Sequence, residues 1–170
     1  MSVFHVRHGE MYHTENSLRG IRRAARARNP DGTRKYDEID LDLLISKDNR
    51  IVGCHWPRPI RRDGFRDPKK QLAPSRTVAS MTLLELARLK AAHWPRVYRI
   101  QTVERLLAEC ARVGIGAVLE PKSPDFTLAH WQHIGKVADA VGVHVRVYAL
   151  PQNSAALDPA RRAGFNVKEI

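Results

Sequence analysis

A chain of 170 residues, 43% hydrophobic and 28% charged, is long enough to bury a core and too apolar to be a disordered polymer. Its formal charge of +11 favours anionic partners, and no apolar run is long enough to cross a bilayer. Two cysteines, Cys54 and Cys110, exclude a disulfide framework and are too isolated for a zinc site.

The start, Met1-Ser2-Val3-Phe4-His5, lacks the basic and long apolar segments of a signal peptide, so a cytoplasmic protein is expected. Val3 to His8 alternates as a first strand. From Glu15 to about Arg28, Leu18, Ile21 and Ala25 fall at helical spacing, and Asn29-Pro30-Asp31-Gly32 stops the helix. Glu38 to Ile45 alternates as a strand, Lys47-Asp48-Asn49 turns, and Arg50 to Cys54 returns as a second arm. Pro57 to Ser75 holds four prolines and many charges and reads as a long surface loop.

Helices are expected at about Leu83 to Ala92 and Thr102 to Val113, followed by a short apolar strand from Gly116 to Glu120. Then Phe126 to Ala140, Val143 to Leu150, Asn153 to Ala163 and Phe165 to Glu169 read as helix, strand, helix, strand. Strands alternating with helices point to an α/β fold with parallel strands in a single domain spanning residues 1–170. The positive charge concentrates in Arg19 to Lys35 and Arg58 to Arg76, with seven basic residues each. Such surfaces attract polyanions nonspecifically, and no nucleic-acid motif accompanies them.

Three stretches carry candidate chemistry. In Glu38-Ile39-Asp40-Leu41-Asp42-Leu43, alternation puts Asp40 and Asp42 on one face, about 6.6 Å apart along the strand. Two converging carboxylates repel unless a cation separates them, and oxygen donors suit Mg²⁺ or Ca²⁺. Taken alone, the pair fits an exposed edge strand with two solvated aspartates somewhat better. His55 ends the returning arm, where an imidazole can exchange protons near neutral pH or simply pack. Glu120 and Lys122 share a face at the end of an apolar strand. A carboxylate for a metal and an ammonium for a phosphate would account for them, as would a charged strand exit.

The ordered set resembles the glycerophosphodiester phosphodiesterases. That family has His-Arg-Gly at its first strand end and Glu-Asn-Thr a short loop later; here stand Arg7-His8-Gly9 and Glu15-Asn16-Ser17. Its Ile-Glu-x-Asp strand, Thr-Lys-Asp-Gly turn and following histidine are matched by Ile39-Asp40-Leu41-Asp42, Ser46-Lys47-Asp48-Asn49 and His55. Its Thr-x-x-Glu-Leu helix, Ile-Pro-Thr-Leu-Glu segment and Glu-x-Lys strand end appear as Thr82 to Leu86, Ile100 to Glu104 and Glu120-Pro121-Lys122. The match is collinear over about residues 4 to 123. Three positions depart: the first two residues of the triplet are exchanged, Asp40 is one methylene shorter than glutamate, and Trp56 stands where aspartate follows the histidine.

The resemblance implies a metal-dependent phosphodiester hydrolase that cleaves glycerophosphodiesters to glycerol 3-phosphate and an alcohol. It implies one Mg²⁺ or Ca²⁺ ion on Asp40, Asp42 and Glu120, with His8 and His55 as base and acid. Arg7 and Lys122 would face the phosphate, and Glu15 and Asn16 would orient substrate. His5, on the opposite strand face from His8, is the competing base. It implies a TIM-barrel-like (β/α) fold, but a full eight-stranded barrel typically takes about 250 residues. A reduced or incomplete barrel is therefore expected, with exposed strand edges covered by the Pro57 to Ser75 loop or by a second copy of the chain. Two other readings stand beside this one. The first is a non-catalytic anion- or nucleic-acid-binding protein on the same scaffold. The second is a histidine-phosphatase-like enzyme, whose Arg-His-Gly triplet Arg7-His8-Gly9 also resembles, with His144 and Arg146 as the remaining candidates.

Overall fold

The computed structural model describes residues 3–4, 16–62, 65–91 and 99–169. A short strand β1 (Val3–Phe4) precedes helix α1 (Leu18–Arg26), strand β2 (Glu38–Ile45) and the arm β3 (Ile51–Gly53). Next come α2 (Pro59–Arg62), β4 (Phe65–Arg66), α3 (Leu83–Arg88), β5 (Lys90–Ala91), β6 (Gln101–Thr102) and α4 (Val103–Val113). The chain then alternates: β7 (Gly116–Pro121), α5 (Leu128–Val141), β8 (Val145–Ala149), α6 (Leu157–Arg162) and β9 (Asn166–Glu169).

One sheet runs β6-β3-β2-β7-β8-β9, and β1 pairs with the first half of β2. Strands β1, β2, β7, β8 and β9 are mutually parallel, whereas β3 and β6 join antiparallel. Among the described strands, nothing pairs with the outer edge of β9, so this is an incomplete barrel, as the chain length requires.

The alternation of β2 divides its environment. Ile39, Leu41 and Leu43 enter a core with Ile21, Ala24, Leu106, Leu107 and Cys110 of the covering helices. The opposite face carries Glu38, Asp40 and Asp42, so the apolar pattern is satisfied while carboxylates point into the half-barrel. Leu44, at the strand's end, joins a second core with Val52, Phe65, Val78, Met81, Leu86 and Leu89. That second core packs on the β2–β3 pair where Leu44 stands opposite Val52.

The structure corrects several sequence expectations. Pro57 to Ser75 is not a plain loop: it contains α2, and β4 pairs with β5, because Phe65 has an apolar cluster to bury into. The segment joins the second core through Phe65, with Ile60 and Leu72 packed against it. The helix expected to reach Ala92 stops at Arg88, and Lys90–Ala91 forms the ribbon partner. Helix α4 runs from Val103 with Thr102 as N-cap, as expected, and stops at Gly114, whose φ of 66° most side chains resist. The last helix is preceded by a 3₁₀ turn over Pro151–Ala156. Both cysteines are reduced thiols and buried. No described helix is long and apolar enough to cross a membrane.

Candidate active site

Parallel pairing of β2 with β7 places Asp42 opposite Glu120, and paired neighbours in a sheet share a face. Both carboxylates are buried. Lys122 continues β7, its backbone N–H donating to Leu43 O at 2.9 Å. Its Nζ then reaches both acids, 2.9 Å from Asp42 Oδ1 and 2.6 Å from Glu120 Oε1. Burial works against the ammonium, but Asp42 and Glu120 outweigh it and hold the Lys122 pKa above its usual value.

Asn16 fixes the other side of Asp42. Its Nδ2 donates to Asp42 Oδ2 and its Oδ1 accepts from the Asp42 backbone N–H, each at 2.8 Å. The residue sits at φ 51°, a left-handed conformation that asparagine tolerates well. Ser17 follows as the α1 N-cap, accepting from Gly20 N at 3.1 Å, so the start of α1 is anchored to the end of β2. Gly53 leaves the room: a Cβ there would lie 3.2 Å from Asn16 Cβ and 2.6 Å from Leu106 Cδ1.

His55 lies at the rim with Nδ1 3.8 Å from Asp42 Oδ2, too far for a hydrogen bond but within an ion-pair distance. Trp56 stacks on its imidazole, ring centroids 4.7 Å apart and planes within 8°. The tryptophan that replaces the family's aspartate thus buttresses the histidine by a ring face instead of a carboxylate.

Asp40 is met by a residue the sequence reading missed. Tyr148 on β8 places its hydroxyl 2.9 Å from Asp40 Oδ2 and 2.6 Å from Glu120 Oε2. Burial and the two adjoining carboxylates push its pKa up, so the phenol keeps its proton. The available signal was β8 alternation, which puts Tyr148 on the face of Arg146. A search for charged groups at strand ends passes over a phenol. Below it, Arg146 donates bidentately to the buried Glu38, Nε to Oε1 at 2.9 Å and Nη2 to Oε2.

These contacts also test the cation site. Asp40, Asp42 and Glu120 line one face and supply the hard oxygen donors that Mg²⁺ or Ca²⁺ prefer. One phenolic proton serves only one of the two carboxylate oxygens it faces at a time, an arrangement a cation would complete. The donor set therefore fits a divalent ion by chemistry. In place, Lys122 stands between Asp42 and Glu120, and Tyr148 between Asp40 and Glu120. Among the described residues no three histidine, cysteine or acidic groups stand together as a metal-ready cluster.

Of the residues singled out in the sequence, Asn16, Asp40, Asp42, His55, Glu120 and Lys122 converge here. Arg7, His8 and Glu15, with the competing His5, lie outside the described residues. The pair that a histidine phosphatase would need is otherwise engaged: Arg146 binds Glu38, and His144 lies exposed with Nε2 3.9 Å from Glu38 Oε1. Beside Lys122 opens a cleft of about 490 Å³, lined by Leu44, Ser46, Asn49, Val78 and His130.

Compared by sequence, the chain matches no protein-family model and no curated protein. Compared by structure, it is similar to one assigned to a glycerophosphodiester phosphodiesterase from Galdieria sulphuraria (17% identity, TM-score 0.68), which covers 99% of this chain. It is also similar to the glycerophosphoryl diester phosphodiesterase domain of a Mycobacterium tuberculosis protein (19% identity, TM-score 0.66, 99% of this chain). A third similar structure is an Oleispira antarctica phosphodiesterase in complex with the product sn-glycerol-3-phosphate (18% identity, TM-score 0.60, 91% of this chain). The chain spans 62%, 59% and 59% of these three structures respectively. At such identities the likeness is one of fold, and that fold is the glycerophosphodiester phosphodiesterase barrel, present in part.

Proposed function

We propose that this chain is a divalent-cation-dependent phosphodiesterase acting on glycerophosphodiesters. The observation that carries the reading is the Asp42–Lys122–Glu120 cluster at the carboxyl ends of β2 and β7, with His55 on its rim. In barrels of this kind, chemistry sits at that end of the strands. Asp40, Asp42 and Glu120 would hold one Mg²⁺ or Ca²⁺ ion, which supplies charge stabilisation to the phosphoryl oxygens. Lys122 would face the phosphate, exchanging part of its carboxylate contact for the substrate anion, and Arg7 would add a second cation, as the resemblance implies. His55 delivers a proton to the departing alcohol, and His8 takes one from the attacking water. Asn16 keeps Asp42 oriented, and Glu15 would orient substrate, as the resemblance implies.

A second reading rests on the outer face of α1, where Arg19, Arg22, Arg23 and Arg26 are exposed and no acid lies in the first turn. On that reading the chain is a polyanion-binding protein that uses the scaffold without turnover. A screen over glycerophosphodiesters and phosphodiester polymers, with and without chelator, separates the two. Chelator-sensitive release of glycerol 3-phosphate supports the enzyme. Salt-sensitive binding to unrelated nucleic acids without turnover supports the alternative.

A further inference from the structure

Tyr148 has no part in the reaction just outlined, yet it touches two of the three carboxylates assigned to the cation. Asp40 and Glu120 are not register partners: Asp40 pairs with Val118, and Glu120 pairs with Asp42. Their carboxylates are therefore offset along the sheet by two residues, about 6.6 Å of strand. The phenol, arriving from the next strand, closes that offset with contacts of 2.9 and 2.6 Å. Its ring is held in place by burial, and β8 is bound to β7 through Ala117↔Val145, Val118↔Arg146 and Leu119↔Val147. A rigid two-torsion side chain on a paired strand is a far better spacer than the flexible Lys122, which performs the equivalent bridging between Asp42 and Glu120.

We propose that Tyr148 is a positioning residue of the cation site, its hydroxyl standing between Asp40 and Glu120 and donating its one proton to either, so that both carboxylates stay turned toward the same point. This rests on the reading that the two carboxylates bind a divalent ion. Its physical content is preorganisation: without the hydroxyl the two like charges turn away from each other, and the ion must bring them back. The shorter Asp40 makes the device more necessary, since it has one fewer methylene with which to reach across.

Groups that orient metal ligands from behind typically contribute about 10- to 100-fold in affinity. Mg²⁺ and Ca²⁺ are titrated by calorimetry into the wild-type chain, Tyr148→Phe, Tyr148→Met and Asp42→Asn, each checked for fold by circular dichroism. Phenylalanine keeps the ring and removes only the hydroxyl; methionine removes it with a different shape, so the test survives if either variant fails to fold. The expected result is binding in the wild type, loss in Asp42→Asn, and weakening by about 10- to 100-fold in the folded Tyr148 variants. A purely structural tyrosine would lower the melting temperature and leave the affinity of the folded protein unchanged, which overturns the proposal while the cation site stands. Absence of binding in the wild type overturns both.

Discussion

Replacing Asn16 by alanine tests whether the start of α1 and the end of β2 are locked together through Asp42. The substitution removes two buried hydrogen bonds of 2.8 Å. The one to the Asp42 carboxylate is charge-assisted and contributes about 1.5–3 kcal/mol; the one from the Asp42 backbone N–H contributes about 0.5–1.5 kcal/mol. Alanine must also hold the left-handed φ of 51° that asparagine accepts, at a further cost of about 1 kcal/mol. The sum is about 3–5.5 kcal/mol, a large fraction of the 5–15 kcal/mol typical of a domain. Urea denaturation in metal-free buffer, followed by circular dichroism and by fluorescence of the fully buried Trp131, measures it. Asn16→Gly loses the same bonds without the conformational penalty, so it should be more stable than Asn16→Ala by about 1 kcal/mol. An alanine variant within about 1 kcal/mol of wild type, or a glycine variant no better than alanine, would refute the reasoning.

Gly53→Ala should lower stability by about 1–3 kcal/mol, because its methyl group meets Leu106 Cδ1 at 2.6 Å; a wild-type melting temperature would show that Leu106 simply moves aside. Arg112, then Arg22, holds Glu109 at a pKa of about 2 against an ordinary 4.5. Its stabilisation is therefore complete above about pH 4.5 and lost as the pH falls through about 2, and Glu109→Gln should flatten stability over that window. Burial pushes the Cys110 thiol up to about 12, so it should resist a thiol reagent at pH 8 in the native state and react after unfolding.

Much of this architecture was legible because alternation and charge coincide. Isoleucine and leucine alternating with carboxylates in β2, and an apolar β7 ending in Glu120-Pro121-Lys122, left few ways to bury one face and keep the other polar. The parallel register then brought Asp42 and Glu120 side by side, as strands of matching pattern require. Tyr148 was not legible, because its partners lie 108 and 28 residues away in sequence and a phenol at an apolar strand end reads as core. The β4–β5 ribbon was hidden for a related reason. Two-residue strands have no period to detect, and Phe65 is drawn into place by a second core assembled from distant segments. Asn16 was noted as a motif residue, but its grip on Asp42 depends on a left-handed backbone that no local pattern announces.

The central claim is that this partial barrel carries a working phosphodiester site built around Asp42 and Glu120. Phosphorus-31 NMR of a glycerophosphodiester incubated with the chain and Mg²⁺ or Ca²⁺ tests it most directly. The claim predicts that the diester resonance is replaced by that of glycerol 3-phosphate with the wild-type chain. Conversion should be lost in Asp42→Asn and in Glu120→Gln, both folded by circular dichroism. A diester signal unchanged by the wild-type chain with either ion, or conversion that persists in both variants, would contradict it.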